Sequence, residues 1–489
     1  GDESVRYIVR FKKVSSPTIT QKSLSRQPSF SLSRAERVLP LDNSVVVTLT
    51  PTQRAELQSR PDVESIEVDA KIKAYFVPND TSYHEQYALS GAHGIRAPLA
   101  WDITRGGTNK LVAIIDSGVD FTHEDLQENI WSNPLEIAAN GVDDDGNGYV
   151  DDIRGYDFGS DVGDSDPTDE NGHGTHVAGI IAATGNNALG VIGLAWNTAI
   201  IPVKCLDDQG NGYISYLVNA LDYVATLKDQ GYPITVVNMS LGTSESSDAL
   251  NRAVARVAAR GIMLVAAAGN NYGQNNDQIP SFPANSDSPN VIAVAATTSS
   301  GTLASFSNYG PKTVDLGAPG LDILSTVPPL IKGAPYEYLD GTSMAAPFVS
   351  GVVALIAAAN PAATPALIRD ILLSTVTPLG SLKGKVVSGG LADAYSAAAV
   401  GVASMKRFRV SGTVKRGRRG VGNVTITLRL ATGANYRKTV VTSSFGRYAF
   451  KDVPAGTYTV KAARPGVRFS SNSRRIVVVT SKMVNFTVP

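Results

Sequence analysis

Between residues 111 and 360, short apolar runs alternate with helix-like segments, and this alternation constrains the fold more than any other feature of the chain. Leu111–Ile115, Ala199–Cys205, Ile234–Met239, Ile262–Ala267 and Val291–Ala295 are built mostly of β-branched and small apolar residues. None alternates polar with apolar, so each must be buried on both faces. Helical patterns at His173–Thr184, Ile214–Leu227, Ser247–Ala259 and Ser343–Asn360 lie among them. Strand–helix alternation of this kind predicts an α/β fold with a doubly wound parallel sheet covered by helices. Ligand chemistry in such sheets gathers beyond the carboxyl ends of the strands. Asp116 and Asn270 stand at such ends.

The flanks read differently. Residues 5–13 and 44–50 are strands, a short helix starts at Pro51, and 63–76 alternates as one further strand or a pair. The stretch 14–37 is rich in Ser, Gln, Thr and Pro and reads as irregular. Residues 77–94 read as a linker. From about Phe408 the period becomes two, with short strands separated by Gly, Pro, Asn and Ser clusters, which predicts an all-β sandwich. Three domains are expected: a small α+β unit (1–77), the α/β domain (78–404) and the β-sandwich (405–489).

Charge supports these divisions. The 489 residues hold 44 Lys+Arg and 44 Asp+Glu, for a formal net charge of zero. Taken whole, that excludes a global preference for polyanions or polycations. Residues 405–489, however, hold 18 basic residues and one acid, Asp452, while 78–404 hold 14 basic and 34 acidic. An acidic body carries a basic tail. The tail suits an anionic surface or polysaccharide, or the acidic body itself; with no recognised nucleic-acid fold, nucleic acid is not an expected partner. One cysteine, Cys205, excludes an intramolecular disulfide and any cysteine-ligated zinc or iron–sulfur site. No apolar run reaches the roughly 18–20 residues of a membrane span, so no transmembrane segment is expected.

Three segments carry nucleophilic chemistry: Ala-Ile-Ile-Asp116-Ser-Gly-Val-Asp, Asn-Gly-His173-Gly-Thr-His-Val-Ala-Gly and Asp-Gly-Thr-Ser343-Met-Ala-Ala-Pro. A serine hydroxyl needs an adjacent base. Imidazole is suited to that task, and a carboxylate fixes its tautomer. Ser343 precedes a long helix, whose first N–H groups favour a developing oxyanion. His176, three residues after His173, reads as structural.

In order and composition these blocks resemble the subtilisin-like serine proteases. The resemblance implies Asp116, His173 and Ser343 as a triad. Val-Ala-Ala-Ala-Gly-Asn270 resembles the segment bearing the family's oxyanion-hole asparagine, and Ser240, Leu241 and Gly242 the edge that pairs with extended substrate. It further implies a pocket for the residue before the cut, walled by Ala267, Ala268 and Gly269 and open to large apolar side chains. Ile214, Leu217 and Leu241 would form the next apolar subsite. Protein or peptide substrates follow, as does a secreted location, with any signal peptide lying outside this sequence.

Calcium is the expected cofactor. Asp143, Asp145, Asn147, Tyr149 and Asp151 place oxygen ligands at alternating positions, like the first nine of an EF-hand loop. The twelfth position is Arg154, so the reading is a calcium-binding surface insertion, with a merely solvated acidic loop as the alternative. The resemblance implies a second site from Asp80, Asp125, Asn187 and the carbonyls of Leu189 and Val191. It implies a third, weaker one from the run Asp157, Asp161, Asp164, Asp166, Thr168 and Asp169. Residues 5–76 resemble the family's inhibitory propeptide, without its usual first helix. Tyr75, Phe76 and Val77 are then expected in the cleft as the autoprocessing region. The C-terminal unit resembles carboxypeptidase-regulatory-like β-sandwich modules.

Overall fold

The computed structural model describes residues 4–12, 35–70, 76–405, 407–430, 437–454, 456–478 and 481–489. Most of the Ser/Gln-rich stretch, and Tyr75, lie outside the described residues. The chain divides into two compact units, Gly1–Tyr75 and Phe76–Pro489.

In the first unit, β1 (Val5–Phe11), β2 (Ala35–Leu39), β3 (Ser44–Leu49) and β4 (Val63–Val68) form an antiparallel sheet in the order β2-β3-β1-β4. Helix α1 (Pro51–Gln58) starts at a capping box. Thr50 Oγ1 accepts from Gln53 N, and the Gln53 side chain accepts from Thr50 N. Tyr7, Val9, Phe11, Val45, Val47, Leu49 and Leu57 make its small core.

The second unit opens with the nine-stranded sheet that the alternation predicts. Its central members are β5 (Leu111–Asp116), β7 (Ala199–Lys204), β8 (Ile234–Met239), β9 (Met263–Ala267), β10 (Val291–Thr297) and β11 (Leu316–Pro319). The order is β14-β15-β11-β10-β9-β8-β5-β7-β6, where β6 is Tyr156–Asp157, β14 Thr377–Pro378 and β15 Gly390–Leu391. Every pair is parallel except β14–β15. One face carries α2 (His173–Ala182) and α5 (Thr342–Ala359), and the other α3 (Ile214–Asp229) and α4 (Asp248–Ala259). Two apolar layers result, one on each face.

Helix α5 is apolar enough, over 18 residues, to cross a membrane by length and composition. It is instead the central core helix, with 89% of that window buried. The expected linker 77–94 is also part of this domain. Ala88, Leu89 and Ile95 are buried in the α2/α5 layer, and Gln86 exchanges two hydrogen bonds with the Ile192 backbone. Its many polar residues masked Ala88 and Leu89, with Ile95 just beyond it.

The C-terminal sandwich packs a four-stranded sheet, β19-β18-β21-β22, with a five-stranded sheet built on β16 (Arg407–Arg416) and β20 (Arg447–Pro454). Here β18 is Thr425–Leu430, β19 Arg437–Val441, β21 Gly456–Ala463 and β22 Ser473–Val478. Alternation along each strand sends Val410, Val414, Ile426, Leu428, Phe450, Tyr458 and Val460 inward.

Candidate active site

Asp116 is the last residue of β5 and is fully buried. Helix α2 begins at His173 and runs back over the sheet beside it. Gly174 permits the approach, since a Cβ there would run into the Gly118 carbonyl. His173 Nδ1–H therefore donates to Asp116 Oδ1 at 2.6 Å, and the same oxygen accepts from Ser117 N at 2.8 Å. This bond leaves Nε2 as the basic nitrogen. Burial lowers the proton affinity of the ring, but the charge and hydrogen bond of Asp116, with Asp169, outweigh it and leave it raised; Lys332 works against them.

The start of α2 is held by a residue whose part the sequence reading misjudged. Asp169 is buried, and its two oxygens accept from the backbone N–H groups of Asn171, Gly172 and Thr175 and from the Thr175 and Ser117 hydroxyls. Ser117 Oγ in turn accepts from Gly174 N. Asp169 is thus committed to fixing the His173 turn rather than left open in an acidic run.

Ser343 stands in the first turn of α5. Four residues on, Pro347 has no N–H to give the Ser343 carbonyl. That carbonyl accepts instead from Ser240 Oγ at 2.7 Å, and Ser343 Oγ donates to Ser240 O at 3.0 Å. Asn238 and Ser350 extend this tie between β8 and α5. Asn270 is oriented by Thr342, whose N–H and hydroxyl both donate to Asn270 Oδ1 at 2.9 Å. Its Nδ2 is left to face the space beside Ser343. A Cβ on Gly341 would sit 3.4 Å from both Asn270 Nδ2 and Ser343 N. Two N–H donors thus border one space, which Gly341 keeps open.

Two cavities meet at this point. One, about 320 Å³, is lined by Ser240, Leu241, Gly242, Ala267, Gly269 and Asn270 and reaches Ser343. Ala268 is not on its wall. Strand alternation turns it into the opposite apolar layer, and its carbonyl is taken by Asn276 and Asn308. The other cavity, about 500 Å³, is lined by His173, Ile214, Leu217 and Leu241, with Tyr213 at its rim.

Phe76 is found away from the cleft. It stacks on Trp196, with ring centroids 6.1 Å apart, beneath the Arg105 guanidinium. Trp196 precedes β7, at the end of the sheet opposite Asp116, which pairs with Lys204 at the far end of β7. Phe76 is half-buried there, held by aromatic stacking and a cation–π contact. Val77 is exposed.

The acidic residues separate into three arrangements. Carboxylate oxygens of Asp143, Asp145 and Glu136 lie within 4.8 Å of one another. Glu136 adds a third acid to this group, and it was missed because it precedes the alternating motif. Asn147 lies against this group, its N–H donating to Asp143 and Asp145. Tyr149 N donates to Asn147 Oδ1. Asp151 faces away, accepting from Asn140 N and Gly141 N. Three convergent hard oxygens with a neighbouring amide suit a calcium ion.

In the second arrangement Asp80, Asp125 and Asn187 meet on one loop. Asp80 accepts from Asn186 N, and Asp125 accepts from Asn187 Nδ2, Val191 N and the Tyr336 hydroxyl. Leu189 O accepts from Thr81 N. Burial raises the proton affinity of both carboxylates. In the third, each acid serves its own turn: Asp157 accepts from Gly159 N, Asp164 from Asp166 N, and Asp166 from Thr168 N and its hydroxyl. Asp161 accepts from the Tyr216 hydroxyl.

A serine at a helix start, an imidazole held by a buried carboxylate and a two-donor hole, all beyond the carboxyl ends of a parallel sheet, define a serine hydrolase. Residues 107–401 match the subtilase family, Peptidase S8, and the chain belongs to it. It is a subtilisin-like serine endopeptidase. The thermophilic serine proteinase of Bacillus sp. (strain AK1) is 38% identical over 350 residues, 72% of this chain and 77% of that protein. The extracellular protease of Xanthomonas campestris pv. campestris is 35% identical over 448 residues, 88% of this chain and 72% of that one. The solved structure titled as proteases from Pseudoalteromonas arctica PAMC 21717 superposes with a TM-score of 0.55 at 30% identity, covering 67% of this chain and all of that one. Residues 405–487 match the model for the second β-sandwich domain of the BOS complex subunit NOMO1-like proteins.

Proposed function

We propose that this chain is the zymogen of a secreted, calcium-stabilised endopeptidase that prefers a large apolar side chain before the cut. The observation that carries the mechanism is the His173 ring held by buried Asp116, with Ser343 and Asn270 lining one cavity nearby. His173 Nε2 takes the Ser343 proton as Oγ attacks the scissile carbonyl. Asp116 holds the imidazolium, and the two N–H groups receive the oxyanion. His173 then gives its proton to the leaving amine, and water repeats the cycle on the acyl-enzyme. Ser240–Gly242 offer backbone to extended substrate, a mode that gives affinity with little sequence preference. Ala267 and Gly269 leave room for the apolar side chain.

Calcium would be held by Glu136, Asp143, Asp145 and Asn147, and at a second place by Asp80, Asp125 and Asn187. Bound there, it supplies charge compensation and cross-links loops. The Asp157–Thr168 run favours a set of self-capped turns over a third ion. The catalytic domain is taken as 78–404, the basic module as 405–489, and residues 1–77 as the propeptide; a cut near Tyr75–Val77 requires Phe76 to be released from Trp196 to reach Ser343. Secretion is supported by relatives named extracellular. Labelling by a fluorophosphonate tests the core of this reading: modification at Ser343 in wild type and none in His173→Ala is expected. No labelling after removal of residues 1–77 overturns it.

A further inference from the structure

A third cavity, about 550 Å³, flanks the catalytic turn and belongs to neither substrate pocket described above. One wall is Phe121, beyond the Asp116 strand; the other is the loop Pro328–Pro335, with a helical turn at Pro329–Lys332, between β12 (Ile323–Thr326) and β13 (Tyr336–Leu339). This loop is stiff at its base. Val327 N donates to Pro335 O, and the same carbonyl is 2.8 Å from His123 Nε2. Pro328, Pro329 and Pro335 restrict its backbone further. Its tip nevertheless presents apolar surface to water: Leu330 is 100% exposed and Ile331 48%. Phe121 is backed by the Arg154 guanidinium, 4.8 Å from its ring centre.

The cavity is continuous with the catalytic turn. Asp169 and Glu170 line it, while Asn171 and His173 line the acyl-side cavity. The Lys332 stem lies on Gly172, the residue before His173; a Cβ there would be 2.5 Å from Lys332 Cε. The direction of the substrate follows from the chemistry. The acyl half is committed to the two pockets beside Ser240–Gly242, and His173 delivers its proton to the leaving amine. The leaving half is released beside His173, next to Gly172, which the Lys332 stem of the Pro328–Pro335 segment covers.

We propose that Phe121, Leu330 and Ile331 form a subsite for the leaving half of the substrate, taking a large apolar side chain within three residues after the scissile bond. Glu170, Asp120 and Glu124 rim it, so a basic neighbour is favoured over an acidic one. The proposal rests on the endopeptidase reading and adds selectivity on the side of the bond that the sequence motifs leave blank. An apolar side chain covering Leu330 would gain roughly tenfold in kcat/KM, the factor expected of a modest buried apolar area.

The test is a peptide library with a constant acyl half and three randomised positions after the cut. It is digested by mature wild type and by a Leu330→Ser/Ile331→Ser variant and read by mass spectrometry. Both residues are exposed, so folding is not at stake. Wild type is expected to favour large apolar over small polar side chains about tenfold at one of the three positions. The variant is expected to fall within twofold there, with its acyl-side preference intact. A flat leaving-side profile in wild type, or the same profile in the variant, overturns the proposal. If Ser343 still reacts with fluorophosphonate and the acyl-side preference persists in that case, the endopeptidase reading stands and this one alone fails.

Discussion

The catalytic domain and the C-terminal module carry nearly balancing charge and use it in opposite ways. In the catalytic domain the acids are spent locally. Asp116 fixes an imidazole, Asp169 fixes a helix start, Asp164 and Asp166 close turns, and Glu136 joins Asp143 and Asp145. In the module one acid faces eighteen basic residues. Arg429 stands directly opposite Arg437, and Thr459 and Arg475 continue the row across the sheet. Like charges in facing positions cost stability. Charge placed by local geometry serves the fold and its site, whereas charge stacked against itself costs the module stability.

The sharpest way to break this contrast is kinetic. Ser343→Ala should lower turnover of a soluble peptide about 10⁶-fold and Asp116→Asn about 10⁴-fold. Replacing Arg429, Arg437 and Arg475 together by Thr should leave kcat/KM within twofold; a larger loss would mean the two regions are not separable. Asn270→Leu comes next, with kcat down about 10²–10³, the loss measured for such a donor in subtilisin, and little change in KM.

Stability effects are smaller. A chelator should lower Tm, since an ion at 100 times its Kd contributes about 2.7 kcal/mol. Glu136→Gln should shrink that difference; an unchanged Tm in chelator would return the acidic loop to simple solvation. The pH response sharpens the contrast from inside the core. Burial depresses His176 to about 3, and its Nε2–H donates to Ile323 O. Unfolded, the ring titrates near 6.5, so between these values the unfolded chain binds more protons and stability falls as pH drops below 6.5. A calorimetric Tm series from pH 7 to 5 should be flatter in His176→Gln than in wild type.

The smallest effect is expected in the module. The Arg→Thr triple should keep or slightly raise its Tm while weakening retention on an anionic polysaccharide column. High salt should mimic that loss, because screening shortens to about 3 Å at 1 M. Retention equal to wild type would make the charge row compositional.

Much of this was legible in residues alone. The parallel sheet followed from apolar runs without alternation, and the order Asp116, His173, Ser343 from blocks whose meaning is local. Helix and strand limits agree within a few residues because turn and cap chemistry is local too. The linker reading of 77–94 failed because burial of Ala88 and Leu89 depends on a surface supplied elsewhere in the chain.

What tertiary structure alone decided shares one physical cause: contact between residues far apart in sequence. Thr342 orienting Asn270 and Asp169 tied to Ser117 are of this kind. So is Phe76, which settles on Trp196 rather than in the cleft, and so is the wall that Leu330 adds beside the catalytic turn. Periodicity and motif report what a segment prefers by itself. Which segments meet is set by packing, where burial of apolar area and satisfaction of buried polar groups are decided together.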